Sequence, residues 1–279
     1  MGATRRPCQS VAPERAAKSG SLRLRLWHAA GMLREAIDWL LTPSLPLARR
    51  SGHLGEFVAI AARRRRQARA WAAHDARSQA AVLRAAGEGD PARTALILGA
   101  GHVNDVPLTD LAARFRTVEL VDLAFSWRTR RLARRLGNVV CRPHDVTESL
   151  ATLPEIRQPA GWLDRDDVGF VASVNLISQL STVATRDLED AEADPIGRAL
   201  AEAHLRWLAR FDCPACLVGD RMIEILNEAG TPVATIDPTK GADLPPHDEE
   251  WFWDIAPKGE IDSRYAVRHR VVAIDRVNR

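Results

Sequence analysis

The chain predicts an α/β fold: a doubly wound, mostly parallel sheet closed by an antiparallel hairpin and preceded by a helical extension. Three observations predict it. After residue 92, short apolar runs alternate with stretches of helical spacing. Such alternation implies parallel strands with helices covering both faces of the sheet. The last two strand-like runs, 251–255 and 265–274, leave no room for a helix between them, so at least one runs antiparallel. Between residues 21 and 91 the periodicity is helical, in two stretches.

Residues 1–20 are polar, basic and aperiodic, and are expected to be a disordered tail. From 21 to 91 the chain reads as a helical extension. Apolar residues recur at Leu22, Leu26, Ala29, Leu33, Ile37 and Leu40, and Pro43 and Pro46 then break the helix. A second helix is expected over 55–86, and Gly87, Gly89 and Pro91 mark the boundary after it. Residues 92–279 form the alternating domain. Strands are expected at 94–98, 117–121, 138–141, 169–175 and 215–219, and helices at 105–115, 127–136, 186–210 and 222–229. With the terminal hairpin this makes seven strands, and Pro257, Lys258 and Gly259 supply the hairpin's turn.

Composition excludes several classes. The hydrophobic share of 46% suits a full core. The four cysteines in 279 residues do not make a disulfide framework. Cys213 and Cys216 form one Cys-x-x-Cys with no second pair to complete a zinc site, so no metal is expected. The chain holds no apolar run of the roughly 18 residues that a membrane span needs and no apolar core of a secretory signal, so a cytoplasmic protein is expected. Residues 1–70 carry 14 Lys/Arg against 4 Asp/Glu, a net +10, so the remainder carries −7 of the total +3. A basic front on an acidic body suggests an anionic partner or simply a solvated arginine-rich helix. Arg63, Arg64, Arg65, Arg66 and Arg69 point most of the way round a helix instead of lining one stripe, and no aromatics interleave them. A small-molecule substrate is therefore expected over nucleic acid.

The most informative stretch runs from Thr94 to His102. The apolar run Ala95, Leu96, Ile97 and Leu98 drops into a loop with glycines at 99 and 101, followed by Asn104, Asp105 and Pro107, a helix-opening signal. A second apolar run ends in Asp122, 23 residues after Gly99. Glycines let the backbone approach a ligand, and an acid at that spacing can take two ribose hydroxyls, so the unit is suited to a nucleoside cofactor.

The region 92–279 resembles the class I S-adenosylmethionine-dependent methyltransferases, a Rossmann-like family with a seven-stranded sheet whose last strand is antiparallel. Leu98, Gly99, Ala100 and Gly101 resemble that family's glycine loop, with His102 inside it. Asp122, followed by Leu123, falls where the ribose-binding acid ends strand two. His144 and Asp145, followed by Val146, match the position that contacts the adenine amino group. Ser173, Val174 and Asn175 end the fourth strand, where the family places groups for methionine and substrate. The resemblance implies S-adenosyl-L-methionine as cofactor and methyl transfer as the reaction. It departs from the family at Ile97, where an acid is usual, and at Val103, where a third glycine is usual, and no Asn-Pro-Pro-aromatic motif follows strand four.

Two other readings compete: a non-catalytic module of the same fold, and an NAD(P)-dependent oxidoreductase. The dinucleotide fingerprint would want glycine at Asn104, and a diphosphate would meet Asp105, expected to cap the next helix. Ser178, Gln179, Asp220 and Arg221 follow strands four and five and are candidates for the substrate side, although Asp220 and Arg221 could simply pair with each other. Trp71 and His74 could lid the cleft or pack as core. Residues 246–254, with His247, Glu249, Glu250, Trp251, Phe252 and Trp253, read as an acidic and aromatic rim or as core strand.

Overall fold

The computed structural model describes residue 35 and residues 37–278, apart from 187. The expected tail at 1–20 and most of the first helical stretch lie outside the described residues. Residues 37–41 close a helix in a unit ending at Leu41, and Thr42–Arg279 form a second compact unit.

Its elements run α1 (Pro46–Arg50), α2 (His53–Arg66), α3 (Ala68–Ala86), β1 (Thr94–Leu98), α4 (Leu108–Arg114), β2 (Thr117–Asp122), α5 (Trp127–Leu136), β3 (Val139–Pro143), β4 (Val168–Val174), α6 (Ile177–Ala184), α7 (Asp190–Leu208), β5 (Ala215–Leu226), β6 (Pro232–Ile236), β7 (Glu249–Ala256) and β8 (Ala266–Ile274). One sheet holds all eight strands in the order β3-β2-β1-β4-β5-β8-β7, with β6 paired to the outer half of β5. The first five strands of that order run parallel, and β8 is antiparallel to both its neighbours. The chain reverses its winding between β1 and β4, which opens a crevice at the carboxyl ends of those strands.

Two apolar layers hold the sheet. On one face Trp71, Val82 and Ala86 of α3 pack with Ile97, Phe170 and Val271; on the other, Leu200, Trp207 and Leu208 of α7 pack with Leu96, Leu98 and Val171. β1, buried at all five residues, is apolar apart from Thr94 because both its faces are covered.

Four expected elements differ. The helix expected over 55–86 is two, broken at Gln67, whose φ of −106° and ψ of 22° leave the helical region. The one expected at 186–210 is preceded by α6 and begins at Asp190, where Asp190 and Glu192 in the first turn favour the start electrostatically. The helix expected at 105–115 starts only at Leu108, and Asp105 does not cap it: Pro107 holds that position with no side-chain cap. The helix expected at 222–229 is absent. β5 continues to Leu226 because β8 and β6 flank it and supply ladder partners, and Arg268 and Arg270 neutralise the buried Glu224.

α5 begins at Ser126, whose hydroxyl accepts the Thr129 N–H at 3.1 Å. The Ser126 N–H and the Thr129 hydroxyl both donate to Gly101 O, tying this helix start to the glycine loop. Ser126→Ala is expected to lower stability by about 1 kcal/mol, the usual cost of losing such a cap. A loss above about 3 kcal/mol in urea unfolding would show that the serine holds more than the helix end.

Among the described residues no helix is long and apolar enough to cross a membrane. Cys213 and Cys216 are buried free thiols, and burial pushes both upward in pKa, Cys213 to about 11.

Candidate functional site

The glycine loop closes one end of a cavity of about 420 Å³ at the carboxyl edge of β1, β2, β4 and β5. Gly99 adopts φ +77°, and a Cβ there would lie 2.5 Å from Val174 O, so this position excludes a side chain on two counts. At Gly101 a Cβ would fall 2.5 Å from the Phe57 ring and 2.7 Å from Ala124 O. The loop is thus as thin as a backbone can be where it faces the cavity.

Asp122 ends β2 beside it. Its Oδ2 accepts the Gly101 N–H at 2.9 Å and its Oδ1 accepts the Leu123 N–H at 2.7 Å. Burial pushes the carboxyl up to about 6, against the pull of these backbone donors. Asp145 faces the same space, but its oxygens serve its own loop: Oδ1 accepts from the Thr147 N–H and hydroxyl, and Oδ2 from the Leu150 N–H. His144 stands edge-on to Trp162, 4.9 Å between centroids, with Nε2 3.7 Å from Glu148.

The segment before the alternating region forms the opposite wall. Leu45 N–H donates to Leu123 O at 3.1 Å, and the Phe57 ring stacks on His102 with centroids 3.8 Å apart. His102 Nε2 lies 2.9 Å from Phe57 O, so this histidine is bound to α2 and is not a solvated loop residue. His53 of the same wall is lowered to about 4 by burial, despite Asp145.

Beyond the loop the cavity deepens between α3, β5, β7 and β8. Asn175, in a left-handed conformation at φ +48°, follows β4. Its Nδ2 donates to Asp105 Oδ2 at 2.5 Å and lies 3.0 Å from His74 Nε2. The His74 ring stacks flat on Trp253, 3.9 Å between centroids, and its Nδ1 accepts the Trp251 indole N–H at 3.2 Å. Burial lowers His74 to about 4 and raises the Asp105 carboxyl. Asp220, at the turn of β5 past the parallel ladder, accepts from the Ser178 hydroxyl at 2.7 Å, and its Oδ1 lies 3.1 Å from His269 Nδ1.

Of the residues singled out in the sequence, Gly99, Gly101, His102, Asp122, Leu123, Asp145, Val146 and Asn175 line this one cavity, as do His74, His144, Ser178, Gln179 and Asp220. Ala100 does not; it is fully buried in the core behind the loop. Asp220 and Arg221 do not pair: Asp220 points inward, while Arg221 is exposed with its Nη1 3.2 Å from His247 Nδ1. The rim at 246–254 divides by strand alternation. Trp251 and Trp253 are buried, Phe252 is exposed, and Glu249 pairs with Arg77 and Arg84 outside the cavity. The arginine run is engaged by acids of its own chain: Arg63 and Arg66 face Glu260, and Arg64 pairs with Asp75. His269 was not legible as a site residue, although its place between Arg268 and Arg270 carried a signal. In an alternating strand those arginines share one face, and the histidine takes the other.

No protein-family model and no curated protein matches the chain. Among solved structures, it is similar to a geranyl diphosphate C-methyltransferase from Streptomyces coelicolor A3(2), in complex with Mg2+, geranyl diphosphate and S-adenosyl-L-homocysteine. That match is 15% identical, covers 73% of this chain and 79% of that one, and has a TM-score of 0.36. It is also similar to phosphoethanolamine N-methyltransferase 1 of Haemonchus contortus (14% identical; 72% and 42% covered; TM-score 0.34) and to precorrin 8w decarboxylase of Methanobacterium thermoautotrophicum (14% identical; 70% and 88% covered; TM-score 0.25). These likenesses are distant.

Proposed function

We propose that the chain is a class I S-adenosylmethionine-dependent methyltransferase acting on a small-molecule acceptor. The observation that carries the reading is the placement of Asp122 and the two glycines at the switch point of the sheet, in a cavity of ligand-binding size. The cavity's residues fit S-adenosylmethionine. Gly99 and Gly101 add no side chain to the loop that borders the cavity, and the Asp122 carboxylate suits two ribose hydroxyls. His144 and Asp145 line the same cavity and are the candidates for the adenine edge.

Charge supports this cofactor over a dinucleotide. Glu56, Asp105, Asp122, Asp145 and Asp220 line the cavity with Asp75, whereas Arg63 is the one arginine among the described lining residues. Such a lining accepts an ammonium and a sulfonium and repels a diphosphate. The bound cofactor supplies an electrophilic methyl group; the chain's own residues hold the acceptor in line with it and exclude water.

Calorimetry with S-adenosylmethionine, S-adenosylhomocysteine and NAD tests the reading. Asp122→Ala removes charge-assisted hydrogen bonds worth about 1.5–3 kcal/mol, so S-adenosylhomocysteine is expected to bind roughly tenfold to a hundredfold more weakly. Equal affinity for the two proteins would remove Asp122 from the site. Tighter binding of NAD than of S-adenosylhomocysteine would replace the methyltransferase with an oxidoreductase.

A further inference from the structure

We infer that the deep half of the cavity takes an uncharged, hydroxyl-bearing acceptor with an apolar body, and that His269 receives the hydroxyl proton; this rests on the methyltransferase reading. The first support is a buried polar atom that the fold leaves without a hydrogen bond. Asn175 Oδ1 has none among the described residues, whereas Asp220 Oδ1 and His269 Nδ1 face each other at 3.1 Å; the three side chains are 9%, 3% and 9% exposed. Buried polar groups left this way are costly unless a ligand or water meets them. All three residues line the cavity, on the elements that face the glycine loop.

The arrangement of Asp220 and His269 gives the second support. Asp220 Oδ1 is 3.1 Å from His269 Nδ1, and the Ser178 hydroxyl fixes the other carboxylate oxygen. Burial alone would push Asp220 upward, yet the imidazole and the hydroxyl hold it below the usual carboxylate range. An ionised carboxylate beside Nδ1 keeps the ring proton there and leaves Nε2 as the base. Among the described residues no hydrogen bond reaches that Nε2. His74, the other histidine in this half, is not equivalent: Trp251 and Asn175 face its two nitrogens.

The charge and the walls define the acceptor. Asp105 and Asp220 face this half, and Arg63, on the opposite wall, already lies 3.9 Å from Glu260. A phosphate or carboxylate here would meet these acids, with Arg63 the one guanidinium among the described lining residues. Ile223, Ile255, Ile261 and Val267 line the remainder with the edge of Trp253, which suits a ring or a branched aliphatic body. In the transfer, a lone pair of the acceptor oxygen forms the bond to the methyl carbon. The methyl–sulfur bonding pair stays on sulfur, which becomes a neutral thioether, and the hydroxyl proton passes to His269 Nε2.

The test uses the full chain with phenol as probe, against benzoate and phenyl phosphate. In the presence of S-adenosylhomocysteine, phenol is expected to bind, with both anionic probes at least tenfold weaker. With S-adenosylmethionine, mass spectrometry is expected to detect anisole. His269→Gln should lower that rate about a hundredfold to ten-thousandfold while S-adenosylhomocysteine affinity stays within about twofold. Should His269→Gln not fold, His269→Asn replaces it and is expected to lower the rate with the same unchanged affinity. Tighter binding of benzoate or phenyl phosphate, or no binding of phenol, overturns the acceptor class. Anisole formation at the wild-type rate by the variant overturns the role of His269. Failure of wild type to bind S-adenosylhomocysteine is a different result: it removes the cofactor reading beneath.

Discussion

Trp253→Ala is expected to cost about 3–5 kcal/mol of stability, the range for deleting a large buried aromatic. Trp253 is the joint between α3 and the sheet. Its ring meets Trp71 edge-on at 4.9 Å and lies flat against His74 at 3.9 Å, and both partners come from α3. Deleting it loses apolar burial and leaves a void where α3 rests on β7. It also opens His74 to water, so the imidazole should titrate well above its present value of about 4. Urea unfolding measures the first effect and imidazole NMR the second. A loss below about 1 kcal/mol, with His74 unchanged, would mean that α3 is held by other contacts.

Acid should reveal His204. This side chain is 1% exposed; its Nε2 lies 2.9 Å from the Ser173 hydroxyl, and its Nδ1 has no hydrogen-bond partner among the described residues. Burial alone lowers it from 6.5 to about 4. The unfolded chain therefore binds this proton first as pH falls. The contribution to stability is fully present above pH 6.5 and is lost progressively as pH falls to about 4. At about 1.4 kcal/mol per pH unit, the loss across that window is roughly 3 kcal/mol. His53 and His74 act in the same direction, whereas Asp75 and Asp122, raised to about 6, favour the folded state as pH falls through 6. Comparison with His204→Gln isolates the one group. The advantage of wild type over this variant should shrink by roughly 3 kcal/mol between pH 7 and pH 4, and a constant difference would show that His204 takes its proton without unfolding.

The sequence was most legible where the signal is local. β1 and the Gly99 loop announce themselves because a fully buried parallel strand must be almost wholly apolar and a tight turn needs glycine. The match of α5 to the expected 127–136 follows from the Ser126 cap and Gly137 at its two ends. Legibility failed where neighbours distant in sequence decide. Residues 222–226 have an apolar pattern that fits a helix as well as a strand. They are a strand because of β8, whose arginines 44 and 46 residues away neutralise Glu224. The same holds for the site. Gly99, Gly101 and Asp122 could be found within one strand–loop–helix–strand unit, but His269 joins Asp220 only through the β5–β8 ladder. Asp105 looked like a helix cap because acids favour that position; the nearby Asn175 amide, 70 residues away in sequence, draws it into the cavity instead.

The position of β8 also sets an order of events during synthesis. β8 follows the other seven strands of this sheet in the chain and yet is an interior strand, lying between β5 and β7. Until residue 274 has emerged, β5 has an open edge from Leu217 towards Leu226 and β7 has no partner in the sheet. At about 5–20 residues per second, the roughly fifty residues after β5 keep that edge open for several seconds. An unpaired apolar edge is what other nascent chains can pair with. β6 pairs with residues 223–226 on the opposite edge of β5, so the edge that waits for β8 stays open along its whole length until β8 arrives.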